Sequence, residues 1–149
     1  MSNFSSLYDA IVTRVSTVLP SHTRLPNPYK IDENAEPLLR QGWGLAMNSA
    51  TNTRRELSCR VSIRRDFVIS IARKFYAVES NVDSKVSVEK SLVEDMILLI
   101  QDLCSNSSLP GAFGIVTYES DAGINYVYGS KDPFLVLPIT FSVEHMEQC

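Results

Sequence analysis

The order and periodicity of the chain predict an α+β fold: a largely antiparallel sheet with an N-terminal helix and one long helix packed on one face. Three observations predict it. Residues 6–19 and 87–105 repeat apolar side chains at helical spacing. The stretches between and after them alternate apolar and polar with period two. The resulting order, α–β–β–α–β–β–β, suits a sheet whose helices share one side.

In the first helix Leu7, Ile11 and Val15 recur at i, i+4 and i+8, and Tyr8, Val12 and Leu19 widen the stripe. Ser6 and Asp9 resemble a capping box, and Pro20 ends the helix because it has no amide hydrogen to donate. Pro20, Pro26, Pro28 and Pro37 then place four of the seven prolines within 18 residues. That density excludes regular helix and permits only short edge-strand pieces, around residues 23–25 and 29–31. A segment of this kind is either a binding arm or a stiff surface connection.

Residues 42–47 read as a short strand, followed by a polar, uncharged loop over residues 48–53. From Leu57 to Phe75 the alternation is long: Leu57, Cys59, Val61 and Ile63 face one way, and Phe67, Ile69 and Ile71 resume the same parity. The interruption at Arg64–Asp66 fits a bulge in one strand or a tight hairpin between two. In the second helix Val88, Leu92, Met96, Leu99 and Leu103 form a stripe flanked by Val93, Ile97, Ile100 and Cys104. So wide an apolar face predicts a helix lying flat on the sheet. The last third is β: residues 114–120 and 124–129 read as strands joined by a short hairpin loop at Asp121-Ala-Gly123, before a long strand over residues 134–146. In that strand Pro138 removes a donor, which predicts an edge side or a bulge there.

With 149 residues the chain has the size of one domain, and no repeat or linker divides residues 1–149. Residues 1–19 lack a positive start followed by an apolar run, so no secretory leader is expected. The longest apolar run, residues 96–100, is far shorter than the roughly 20 residues that span a bilayer, so no membrane partner is expected. Three dispersed cysteines, Cys59, Cys104 and Cys149, suit reduced thiols and synthesis in a cytoplasm.

Few residues suggest catalysis, and the sequence is read as a non-enzyme with no cofactor, no metal and no catalytic residue. Gly42 and Gly44 lack the third glycine of a phosphate loop. His22 and His145 have no metal-spaced partner, and a nucleophile site needs a rigidly held histidine. Glu94 and Asp95 are helix neighbours and so point to different faces, and Asp32–Glu36, which lacks the spaced ligands and glycine of a calcium loop, reads as solvated surface.

Charge is the more informative feature. Residues 1–77 carry 11 Lys/Arg against 6 Asp/Glu, and residues 78–149 carry 3 against 11. Arg60, Arg64, Arg65, Arg73 and Lys74 gather on the long alternating segment, with Phe75 and Tyr76 at its end. A basic strand with aromatics suits nucleic acid, but the acidic pI of about 5.4 does not. Segregated charge also suits head-to-tail association, the basic face of one copy meeting the acidic face of the next, which closes into a ring when the rotation permits. The basic group is therefore assigned to contacts between subunits. Reversing Arg64 and Arg65 to Glu is expected to leave the fold intact and weaken association.

The layout resembles the siphophage tail-terminator (neck) family. The resemblance rests on the N-terminal helix, the Leu25-Pro-Asn-Pro-Tyr29 segment leading to Gly42-Trp-Gly44, the charged strand region over residues 55–75, the single long helix and the C-terminal strands. It implies a hexameric virion ring, made in the host cytoplasm, that caps the tail tube and stops its polymerisation. It implies docking to tail tube protein on one face and a head-completion protein on the other, with DNA passing through the lumen without sequence-specific binding. Asn48, Ser49, Thr51 and Asn52, with Arg54 and Arg55, are the docking element this reading expects. The alternative is another head–tail connector or a nucleic-acid-contacting assembly protein.

Overall fold

The computed structural model describes residues 2–26, 41–56, 60–74, 82–105, 109–128 and 133–148. Helix α1 (Asn3–Val18) opens the chain and strand β1 (Thr23–Arg24) follows it. Two long strands come next, β2 (Gln41–Glu56) and β3 (Arg60–Lys74), and then helix α2 (Val82–Leu103). Strands β4 (Thr117–Asp121), β5 (Asn125–Tyr128) and β6 (Pro133–Gln148) complete it. The sheet order is β1-β2-β3-β6-β4, with β5 also on β6, and every pairing except β1 with β2 is antiparallel.

The α+β reading therefore holds, and so does the parity of the core. Leu7, Ile11 and Val15 of α1 and Leu92, Leu99 and Leu103 of α2 pack on Phe67, Ile69 and Ile71 of β3 and on the odd-numbered residues 135–143 of β6. Trp43 joins them because it pairs with Ile71 and shares its side. Each such apolar side chain contributes about 1.5–3 kcal/mol on burial, before entropy is counted.

Several boundaries differ from the expectation, each for a physical reason. Helix α1 begins earlier: Ser2, not Ser6, is the cap, its hydroxyl accepting from the Ser5 N–H at 3.1 Å. The extra turn is also tied down from outside, because Glu147 accepts the Phe4 N–H at 2.7 Å and the Met146 carbonyl accepts from Asn3. Helix α2 also begins earlier, at Val82. Its wide apolar face divides: Ile100 and Cys104 pack against the core, whereas Val93, Ile97 and Leu98 point outward and are exposed.

Strand β3 is a single uninterrupted strand. Its register with β6 runs from Arg60↔Gln148 to Lys74↔Phe134 without a shift, so Arg64–Asp66 holds neither a bulge nor a hairpin. The irregularities lie in β2 instead, between Met47 and Ala50 and between Asn52 and Arg54. The expected polar loop over residues 48–53 is thus corrected: it is the middle of a 16-residue strand. Leu57, Cys59, Phe75, Tyr76, Cys149 and the expected strand piece at residues 29–31 lie outside the described residues.

The expected β4–β5 hairpin is also corrected. Both strands pair with β6, β4 with residues 139–142 and β5 with residues 133–136, so they are two parts of one interrupted edge. The interruption, residues 122–124, sits beside Pro138, whose carbonyl accepts from the Ala122 N–H at 3.0 Å. Gly123 turns the chain with φ +77°. Of the two outcomes expected at Pro138, the edge side is the one found: it pairs with Ser70 without a register shift and faces the gap between β4 and β5 on its other side.

Gly111 is the tightest glycine contact. It has φ +81°, and a Cβ there would collide with the Asn3 carbonyl and come within 2.8 Å of the Leu7 nitrogen. Gly111→Ala is expected to destabilise the protein by roughly 1–3 kcal/mol, from left-handed strain plus displacement of α1. Urea denaturation followed by circular dichroism measures it.

Candidate docking surfaces

The expected docking residues lie on β2, where it runs beside the Arg60 end of β3. Thr51 pairs with Arg64, Asn52 with Ile63, Arg54 with Ser62 and Arg55 with Val61, while Ser49 sits in the first register shift. Asn48 and Thr51 are exposed, and the Asn48 carbonyl accepts from Arg65 Nη1 at 3.2 Å. Bulges twist a strand and alter its pairing, which suits a contact surface as well as a loop does.

Helix cover thins toward this end of the sheet. Phe67, Ile69 and Ile71 are fully buried, whereas Val61, Ile63 and Arg65 on the same side of β3 are half-buried. Among the described residues Phe4 gives cover there: the Arg65 guanidinium lies 5.2 Å from its ring centroid and the His145 ring 5.7 Å. His145 is itself buried, its Nδ1 donating to Glu147 Oε1 at 3.1 Å. Beside these residues a groove of about 530 Å³ is lined by Ser2, Asn3, Arg60, Met146, Glu147 and Gln148.

The basic group does not form one surface. Arg60 is exposed and lines the groove. Arg64 is paired with Glu119 and donates to the Ser142 hydroxyl at 3.3 Å. Arg65 is on the opposite side of the sheet from Arg64, bound to Asn48 and Phe4. Lys74 is buried over the Phe134 ring, 5.8 Å from its centroid. Reversing Arg64 and Arg65 together would therefore break contacts within the subunit, so it is not the clean association test that the sequence suggested. Arg60→Glu is the better charge reversal.

Arg73 has the most specific role. Its Nε and Nη2 donate to Asp95 Oδ2 and Oδ1 at 3.0 and 3.2 Å, and His22 Nε2 donates to Asp95 Oδ2 at 3.1 Å. Asp95 is 6% exposed whereas its neighbour Glu94 is exposed, the divergence expected of adjacent helix positions. Its position was legible: Leu92 and Leu99 lie three residues before and four after it, on the buried stripe of α2. His22, in the chain after α1, carried no comparable signal.

Burial, the largest single influence on the Asp95 carboxyl, pushes it upward. The hydrogen bonds from His22 and Arg73 and the Arg73 charge outweigh that and hold it below its ordinary value of 3.8. A depressed folded value means that the ionised form contributes stability above the unfolded value, and the contribution disappears as pH falls through the folded one. Acid titration followed by near-ultraviolet circular dichroism should show stability declining below about pH 4, with less decline in Asp95→Asn.

Burial pushes the Cys104 thiol up, away from the thiolate a nucleophile needs. Among the described residues no group of three or more His, Cys, Asp or Glu is placed to hold a metal ion, and no helix is long and apolar enough to cross a membrane. On the outward side of α2, Val86, Val93, Ile97 and Leu98 are 38–48% exposed. No protein-family model matches the chain, and no curated protein is significantly similar to it.

Proposed function

We propose that this chain is a structural subunit of a phage tail-terminator ring, built by head-to-tail association of about six copies, which caps the tail tube and offers a docking surface to the neck. The observation that carries this reading is the layout: two helices on one side of a sheet whose longest strands, β2, β3 and β6, run together past the region of full helix cover. In this reading the bulged end of β2, with Asn48, Thr51 and the backbone of Asn52–Arg55, meets a partner. The ring is made in the host cytoplasm and resides in the virion, and DNA crosses its lumen without base-specific contacts.

The fate of the arginines favours an assembly role over nucleic-acid binding. Phosphate binding needs cations whose charge is not already paired, and Arg64 and Arg73 are held by the carboxylates of Glu119 and Asp95. The test is mass by light scattering over a range of protein concentration and salt. A ring mass that shifts toward monomer in Arg60→Glu is expected; a monomer at every concentration, with or without the substitution, contradicts self-association in solution.

A further inference from the structure

We propose that the chain between α1 and β2 carries a strap, residues 20–26, which wraps the edge of the sheet, is fastened by His22 and opens while the core, Leu19 included, stays folded. The inference does not depend on the proposed ring. The strap touches both sides of the sheet. On the helix side His22, whose side chain is 4% exposed, donates to Asp95 of α2. Also on that side, Arg24 lies over the Tyr8 and Trp43 rings, 6.0 and 5.6 Å from their centroids. On the other side Leu25 packs against a small second core of Ala72, Phe134 and Val136.

Gly42 makes the crossing possible. A Cβ there would meet Leu25 Cδ1 at 2.7 Å and the Thr23 carbonyl at 2.9 Å, so the strap lies directly on the β2 backbone. Its other ties are slight. Among the described residues they are a two-residue parallel pairing, the Leu25 N–H to the Trp43 carbonyl at 2.7 Å, Arg24 Nη2 to the Tyr8 hydroxyl at 3.1 Å, Gln41 Nε2 to the Ser21 carbonyl at 3.1 Å and the His22 N–H to the Leu19 carbonyl at 3.2 Å. Pro20, Ser21, Thr23, Arg24 and Pro26 are exposed. By contrast β3 is paired along its whole length on one side, and Asp95 sits within a 22-residue helix. When these parts separate, the strap is the part that yields.

The His22 bond decides the equilibrium because its acceptor is a buried, ionised carboxylate, which makes it stronger than the neutral bonds around it. Removing His22 leaves the two Arg73–Asp95 bonds and the main core in place. Opening withdraws Leu25 from Ala72, Phe134 and Val136 and lifts Arg24 from Trp43, the chain's one tryptophan.

Native-state hydrogen exchange by NMR, together with acrylamide quenching of Trp43, tests this on the full chain. In His22→Ala the Leu25 amide should exchange about ten- to a hundredfold faster, the value of a hydrogen bond to a charged group. The Ile69 and Ile139 amides should change far less, and Trp43 should become more quenchable. His22→Gln, which restores a donor, should recover part of the protection. In the wild-type protein the Leu25 amide should exchange through an opening with a small denaturant dependence, a measurement that stands even if His22→Ala does not fold. Exchange of Leu25 only through global unfolding, or equal acceleration of Leu25, Ile69 and Ile139 in His22→Ala, would overturn the proposal.

Discussion

Asp95→Ala is expected to lower folding stability by about 3–5 kcal/mol, because it strips the acceptor from two buried or half-buried donors at once. Arg73 and His22 would keep their polar groups and lose their partner, and the 4%-exposed His22 side chain reaches water only if the strap moves. The cost is large against the roughly 5–15 kcal/mol that holds a domain of this size together. Replacing the whole cluster is a different matter. Asp95→Leu with Arg73→Met and His22→Phe should fall close to the wild type in stability, since apolar packing substitutes well for a buried ion pair. Urea denaturation of both variants distinguishes the cases. An Asp95→Ala loss below about 1 kcal/mol would mean that the cluster is solvated and weak.

Phe141→Ala is expected to cost a comparable amount, about 3–5 kcal/mol. Phe141 is fully buried at the centre of β6, stacked on Phe67 with centroids 5.5 Å apart and met edge-on by Tyr118 at 6.1 Å. Its removal leaves a cavity on the helix side of a sheet whose strands are locked in register, so the surroundings collapse poorly to fill it. The double variant with Phe67→Ala should cost less than the sum of the single changes, because the two rings share one contact. Additive losses by urea denaturation would show that the stack contributes nothing beyond area.

These cases show how far periodicity reaches. Leu7, Ile11 and Val15, and Leu92, Leu99 and Leu103, were legible as buried faces because a helix repeats its environment every turn. The odd-numbered face of β3 and β6 was legible because one side of each strand meets the helices throughout the core region. The middle of β2 was not. Asn48 and Thr51 are exposed and follow no apolar alternation, so only the ladder with β3 makes them strand. Likewise Asp121-Ala-Gly123 has the composition of a hairpin loop, but both flanking strands find β6, a partner that local composition does not specify.

The candidate surfaces divide in the same way. Charge segregation was visible in the sequence, but its use was not. Arg64 and Glu119 lie 55 residues apart, and Arg73 meets a carboxylate carried by α2. Register and topology, which bring these residues together, turn much of a basic patch into internal ties. What remains on the outside is Arg60, the groove beside it, the bulged end of β2 and the outward apolar residues of α2.

The most direct measurement is electron microscopy of the purified protein mixed with polymerised tail tubes. The account predicts a closed ring of six copies seated on one end of each tube, and tubes that no longer elongate. Tubes whose ends stay bare and continue to grow in excess protein would contradict it.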